Sequence, residues 1–205
     1  MAAADSSGVG TDRYEEVVRP SRRQRKWVKI RRLLFLKYHI VVAILDHLII
    51  LRAMVTSYRA GDSPVLRRML RGFPQMPGSV FNADRGFDAD RNFERLYRLR
   101  MRPNIKQRDK MRQWGGTTRT THNRRASRIR AAGEFDLNLY RYRELIEAIF
   151  GAEEAGGHRL RTRFRKEESR ERWGPVMAIG WNLKVLNRIR CAKKLGMEVM
   201  PLIRN

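Results

Sequence analysis

Residues 27–36 and 40–56 constrain the fold most, because both stretches are dense in Val, Ile, Leu and Phe, the residues that favour a pleated, half-buried backbone. Two long antiparallel strands are expected there, joined by a hairpin at Lys37-Tyr38-His39. Upstream, Ala2-Ala3-Ala4 suits a first strand closed by a Ser6-Ser7-Gly8 turn. Residues 13–18 and the basic run 21–26 read as an exposed connection or ribbon. Downstream, Asp62-Ser63-Pro64 sets capping groups ahead of an early proline and predicts a helix to about Arg71. Residues 79–83 then read as a short buried strand ending at Asp84. Arg85-Gly86 supplies a turn, and Asp88 is placed to cap a helix with Phe93, Leu96 and Tyr97 on its inward face. A strand at 101–105 completes a βαβ unit, whose strands run parallel. Helices from Leu137 to about Glu154 and from Glu167 to about Lys194 close the chain. The order implies an α/β fold, a mixed sheet flanked by helices, and a length of 205 residues suits one domain, 1–205.

Charge narrows the partners. Lys and Arg number 45 against 21 Asp and Glu, a formal net charge of +24, and self-repulsion of that size is relieved by a polyanion. Nucleic acid is the expected one. The most apolar run, 40–51, is broken by Asp46 and His47 and is too short to span a bilayer, so no membrane partner is expected. Residues 1–10 lack the basic and apolar regions of a secretory signal, which points to a cytoplasmic location. Residues 106–136 are mostly basic or small and polar, with Gly115-Gly116-Thr117-Thr118 near their centre, and read as a cationic loop insertion. Cys191 is the single cysteine, so disulfides and cysteine zinc clusters are excluded; it reads as a small helix residue rather than a nucleophile. Any metal must be held by carboxylates. Ribosomal proteins, architectural DNA binders and nucleases share this composition, so the placing of acids has to separate them.

Cleavage of a phosphodiester by two metal ions needs several carboxylates converging on one point, and hard oxygen ligands suit Mg²⁺. Asp5 follows the alanine strand, and Asp84 ends a strand of the βαβ unit, where ligand sites of open α/β sheets gather. Glu147 lies on the helix from Leu137. There Tyr140, Arg143 and Glu147, at i, i+3 and i+7, share one face, while Tyr142, Leu145, Ile146 and Ile149 form the apolar one. A catalytic acid would thus stand beside a phosphate-binding Arg and a Tyr able to stack on a base. The plainer reading makes Asp5 and Asp84 turn residues and Arg143–Glu147 an i, i+4 ion pair on a solvated face.

In three ordered blocks the chain resembles the DDE transposases of prokaryotic insertion sequences. Asp5-Ser6-Ser7-Gly8 with Arg13-Tyr14 resembles the block around the family's first catalytic Asp. Ala83-Asp84-Arg85-Gly86-Phe87-Asp88 resembles the second, and Tyr140, Arg143 and Glu147 match the third in type and spacing. Gly61-Asp62-Ser63-Pro64 resembles a further segment, with Gly where His is commoner. The resemblance implies an RNase H-like fold, two Mg²⁺ or Mn²⁺ ions held by Asp5, Asp84 and Glu147, and DNA contacts from Tyr140 and Arg143. It also implies hydrolysis at transposon ends followed by strand transfer to target DNA, carried out by a homodimer on terminal inverted repeats. Glu154 stands where the third motif ends in Lys. The first Asp stands at position 5, ahead of which family members carry a DNA-recognition region, so an N-terminal truncation is expected, with either an active enzyme or an inactive relic as the outcome. The competing reading is a non-catalytic basic protein of architectural or ribosomal type.

Overall fold

The computed structural model describes residues 1–20, 27–107, 126–155, 161–162 and 167–197. Strand β1 (Ala2–Pro20) is central and pairs antiparallel with β2 (Trp27–Ile44), which pairs antiparallel with β3 (Leu48–Ser57). On its other side β1 pairs parallel with β4 (Val80–Ala83), and β4 pairs parallel with β5 (Arg102–Ile105). The strand order is β3-β2-β1-β4-β5, and a short β6 (Arg161–Thr162) pairs parallel with β1 at Gly10 and Thr11. The mixed α/β sheet with helices on both faces is the architecture expected, and it is that of an RNase H-like domain.

Alternation along the strands sorts side chains to two faces. Ala2 and Ala4 of β1, Val41, Phe81 and Ala83 pack with α1 (Asp62–Met69), α2 (Asp90–Arg98) and Ala131 of α3 (Ala126–Gly133). Ala3 and Val9, with Tyr38, Ile40, Val42 and Ile44, face α5 (Glu144–Ala155) and α6 (Glu167–Lys194) through Ile146, Ile149, Phe150 and Ala178. Gly174 lets α6 lie close on β3: a Cβ there would stand 2.9 Å from Val55 Cγ2. Along α6, Trp181 Nε1 donates to the Leu48 carbonyl, and the Asn182 amide both accepts from and donates to the Ile50 backbone, covering part of the β3 edge.

Several local expectations are corrected. The hairpin is not at Lys37-Tyr38-His39 but at Leu45-Asp46-His47, where the Leu45 amide donates to the His47 carbonyl. The apolar alternation runs unbroken through Tyr38, Ile40, Val42 and Ile44, so a turn at Tyr38 would expose a ring that is fully buried. Ser6-Ser7-Gly8 is not a turn either; it pairs with His39, Tyr38 and Lys37, because a continuous β2 satisfies its backbone better than water at a turn would. Residues 13–18 do form a ribbon, within β1 against β2, while 21–26 lie outside the described residues. Gly61, not Asp62 or Ser63, is the cap of α1, and Ala89, not Asp88, precedes α2; neither end has a side-chain cap.

Of the expected loop insertion at 106–136, residues 108–125 lie outside the described residues, but α3 is helical. Its Ala131 is buried, its Arg130 bridges Glu134 at 2.7 Å, and the same guanidinium lies 4.6 Å over the Tyr97 ring. Local helical pairing and one core contact thus override a composition that reads as loop. Finally, the helix expected from Leu137 to about Glu154 is two, α4 (Leu137–Arg141) and α5.

Candidate active site

The parallel register of β1 and β4 ends at Ala4 opposite Ala83, so Asp5 and Asp84 are the next residues of two neighbouring strands at the same level. Beside them the order reverses, since β2 and β3 lie on one side of β1 and β4 and β5 on the other. That makes a crevice at the carboxyl ends of the parallel strands. Alternation turns Asp5, like Ala3, toward α4 and α5, and turns Ser6 toward α1.

A buried amide pair fixes α4 over this crevice. Asn104 Nδ2 donates to Asn82 Oδ1 (2.8 Å) and to the Asp136 carbonyl, and Asn104 Oδ1 accepts from the Asp136 amide. Asn82 Nδ2 donates to the Leu139 carbonyl, and Asp136 Oδ1 caps α4 by accepting from the Asn138 and Leu139 amides. Between α4 and α5 the amides of Tyr142 and Arg143 donate to the carbonyls of Leu139 and Tyr140, three residues back. This tightened turn carries Arg143 into the crevice.

Arg143 is the hub. Its Nη1 donates to Asp5 Oδ2 at 2.9 Å, and its Nη2 reaches Glu147 Oε1 at a long 3.5 Å. Tyr140 Oη reaches Asp84 Oδ1 at 3.4 Å, also a long contact, and the Arg143 guanidinium lies 5.7 Å from the Tyr140 ring centroid. Asp5 and Arg143 are largely buried, at 16% and 17% exposed, whereas Glu147 is 62% exposed. The Ser6 amide donates to Asp5 Oδ1 and the Arg85 amide to Asp84 Oδ1. Lys106 Nζ, just past β5, lies 6.0 Å from the Tyr140 ring centroid.

The acids feel one another. Burial pushes the Asp5 carboxyl above the ordinary carboxylate range; the Ser6 amide and Arg143 oppose this, and the charges of Asp84 and Glu147 add to it. Burial works against the charge on Arg143, but Asp5, Tyr140, Asp84 and Glu147 hold its pKa above the ordinary value. Tyr140 is raised too, first by burial.

Of the residues expected at the site, the structure links Asp5 to Glu147 through Arg143 and sets Tyr140 against Asp84. Among the described residues, however, no three His, Cys, Asp or Glu side chains gather closely enough to hold a metal ion, and the Arg143 guanidinium stands between Asp5 and Glu147. The residue types are still those a hard divalent cation takes: three carboxylates whose charges act on one another, with burial the first cause that raises the Asp5 pKa, against one guanidinium. Glu154 belongs to α5, but its side chain lies outside the described residues.

The model of the family described as Transposase DDE domain matches residues 2–183. The chain belongs to the DDE transposase family. No curated protein and no solved structure matches it. In this chain Asp5 and Asp84 follow the ends of adjacent strands, and Glu147 lies on a later helix.

One supporting residue was missed in the sequence, where Asp62 reads only as a helix cap. Its carboxylate accepts from Ser6 Oγ (3.2 Å) and Lys37 Nζ (3.1 Å) and lies so close to Gly86 that a Cβ there would stand 2.9 Å from Oδ2. It therefore ties α1 to the residues after Asp5 and after Asp84. His39, 1% exposed, faces the same carboxylate at 3.8 Å and bonds Thr56 Oγ1; burial lowers its pKa to about 4, against Asp62, which raises it, so it is neutral at physiological pH. The signal available in the sequence was the likeness of Gly61-Asp62-Ser63-Pro64 to a family segment. Among the described residues no helix is long and apolar enough to cross a membrane.

Proposed function

We propose that this chain cleaves DNA at transposon ends and transfers the freed strand to target DNA, with Asp5, Asp84 and Glu147 holding two Mg²⁺ or Mn²⁺ ions. The observation that carries the reading is the departure of Asp5 and Asp84 from adjacent parallel strands at one level, with Arg143 spanning from Asp5 to Glu147. Bound there, the ions supply Lewis acidity at the scissile phosphate and lower the pKa of the attacking hydroxyl or water. Arg143 holds the Asp5 carboxylate through Nη1, and its longer contact to Glu147 leaves Nη2 the more readily turned to a phosphate oxygen beside Tyr140. The Tyr140 ring, flanked by Phe135 and Lys106, gives a stacking surface for an unpaired base. Water attacks phosphorus and the P–O3′ bond breaks, leaving a 3′-hydroxyl and a 5′-phosphate; that 3′-hydroxyl then attacks a target phosphodiester, forming a new P–O bond as the target strand's own 3′-hydroxyl leaves.

Pairing two ends calls for two copies. Val176, Ile179, Leu183 and Leu186 are exposed on α6 at 3-4-3 spacing, the seam that packs against a second copy of the same helix. Terminal inverted repeats as the bound sequence, and a cytoplasmic, nucleoid-associated location, follow from this reading.

The test is nicking of a plasmid that carries the element's terminal repeats, in Mg²⁺ or Mn²⁺. Asp84→Ala and Glu147→Ala each lower nicking by at least about a hundredfold, the scale of losing one preorganised charge contact in a transition state. In titration calorimetry with Mn²⁺ alone, each variant also loses a binding step. Nicking at the parental rate by either variant removes that residue from the site. A chain that binds DNA but takes up no Mn²⁺ and never nicks is the non-catalytic DNA binder.

A further inference from the structure

We infer that the groove between α1 and α2 is a second DNA-binding surface, which grips the sugar-phosphate backbone of a duplex away from the cleavage site. The inference rests on the transposase reading for the nature of the polyanion, not on the metal chemistry. The two helices lie side by side with their N-termini together: Asn92 Nδ2 donates to Ser63 Oγ near both starts, and Arg95 Nη2 donates to the Leu70 carbonyl further along. Between them is a groove of about 400 Å³ lined by Arg67 and Arg71 from α1 and its end, and by Arg91, Glu94, Arg95 and Arg98 from α2.

Arg95 ties α2 to the end of α1, but five guanidinium groups against one carboxylate exceed what the packing of two helices needs. On α2, Arg91 and Arg95 are like charges at i, i+4, an unfavourable spacing that the single acid Glu94 offsets only in part. The fold needs only Val65, Leu66 and Met69 on α1 and Asn92, Phe93 and Leu96 on α2 for its core. A row of guanidinium groups does, however, match the phosphodiester backbone, because each offers a planar fork to phosphate oxygens. From Arg91 to Arg98 the helix rises roughly 10 Å, which spans about three phosphates of one strand along a duplex axis.

Position makes the surface distinct from the cleavage site. Helices α1 and α2 pack on the face of the sheet that carries Ala2 and Ala4, whereas Asp5 turns to the face of α4 and α5. The DNA held in the groove is therefore a separate stretch from the one being cut. It is read through its backbone, without base contacts, so binding is independent of sequence.

The test is fluorescence anisotropy of a labelled duplex of arbitrary sequence, titrated with salt in EDTA. The triple variant R71Q/R91Q/R98Q binds at least about tenfold more weakly near 0.1 M salt, and the slope of log affinity on log salt falls by roughly two to three, one contact per lost cation. A control triple variant on exposed α6 positions, R188Q/R190Q/K193Q, removes the same charge and changes affinity by less than about threefold. Thermal unfolding of the groove variant stays close to the parental midpoint, since all three side chains are exposed. An unchanged slope, or an equal loss in the control, overturns the inference. Nicking is scored separately: a groove variant that loses binding while the parent fails to nick leaves the groove standing without the cleavage reading. A parent that nicks while the groove variant binds normally does the reverse.

Discussion

Asp5 carries an ionised group where burial disfavours it. Its folded-state pKa is raised above the unfolded value, so its contribution to stability is present at low pH and is lost as pH rises through the folded pKa. At neutral pH the ionised carboxylate therefore costs folding free energy even with Arg143 beside it. Asp5→Asn is expected to unfold at a higher temperature than the parent at pH 7, with the difference shrinking as pH falls below the ordinary carboxylate range, and to nick DNA far more slowly. Calorimetric scans from pH 7 to pH 3 check this, and a melting temperature below the parent's at pH 7 would show that the Arg143 pair outweighs the burial cost. A residue that lowers stability where it stands is one that function has to explain. Asp62 is the converse: hydrogen-bonded on one side and pressed against Gly86 on the other, it braces the crevice from the α1 side.

The joint between α4 and α5 is what turns a helix face into a site. The i, i+3 and i+7 spacing of Tyr140, Arg143 and Glu147 was legible in the sequence, and these side chains do share one side. The tightened turn was not legible, because nothing local marks it: no Pro or Gly lies between Leu137 and Phe150. The tie to the sheet comes from Asn82 and Asn104, two polar residues inside short apolar strands whose partners, the Asp136 and Leu139 backbones, are over thirty residues away in sequence. Asn104→Ala leaves the buried Asn82 Oδ1 and the half-buried Asp136 N–H and carbonyl without their partner, at a cost of about 1–3 kcal/mol. For a chain of this size that lowers the melting temperature by roughly 2–4 °C per kcal/mol. Nicking by the folded variant should fall as well, because α4 loses its anchor; full activity at temperatures where it remains folded would mean that Asp136 capping alone positions Tyr140.

At the scale of the whole molecule, the +24 charge, the arginine groove and the exposed apolar residues on α6 are the features that the proposed DNA and second copy would meet. Leu183→Glu places a charge in the centre of that seam without touching the core. Sedimentation should show a dimer shifted to monomer, with an unfolding midpoint that no longer depends on protein concentration, and an unaltered dimer would exclude α6 as the interface. The sequence by itself determined the class of fold, the order of the three acidic blocks and the polyanionic partner, since side-chain period, motif order and net charge are properties of the chain read along its length. Where the β2–β3 hairpin turns, that Ser6-Ser7-Gly8 is a strand, and that Asp62 braces the crevice were decided only by tertiary structure. So was the insertion of Arg143 between Asp5 and Glu147. Each of these depends on which distant backbone or charge is within about 3 Å, and folding sets that distance against the weaker preference of a local turn, cap or ion pair.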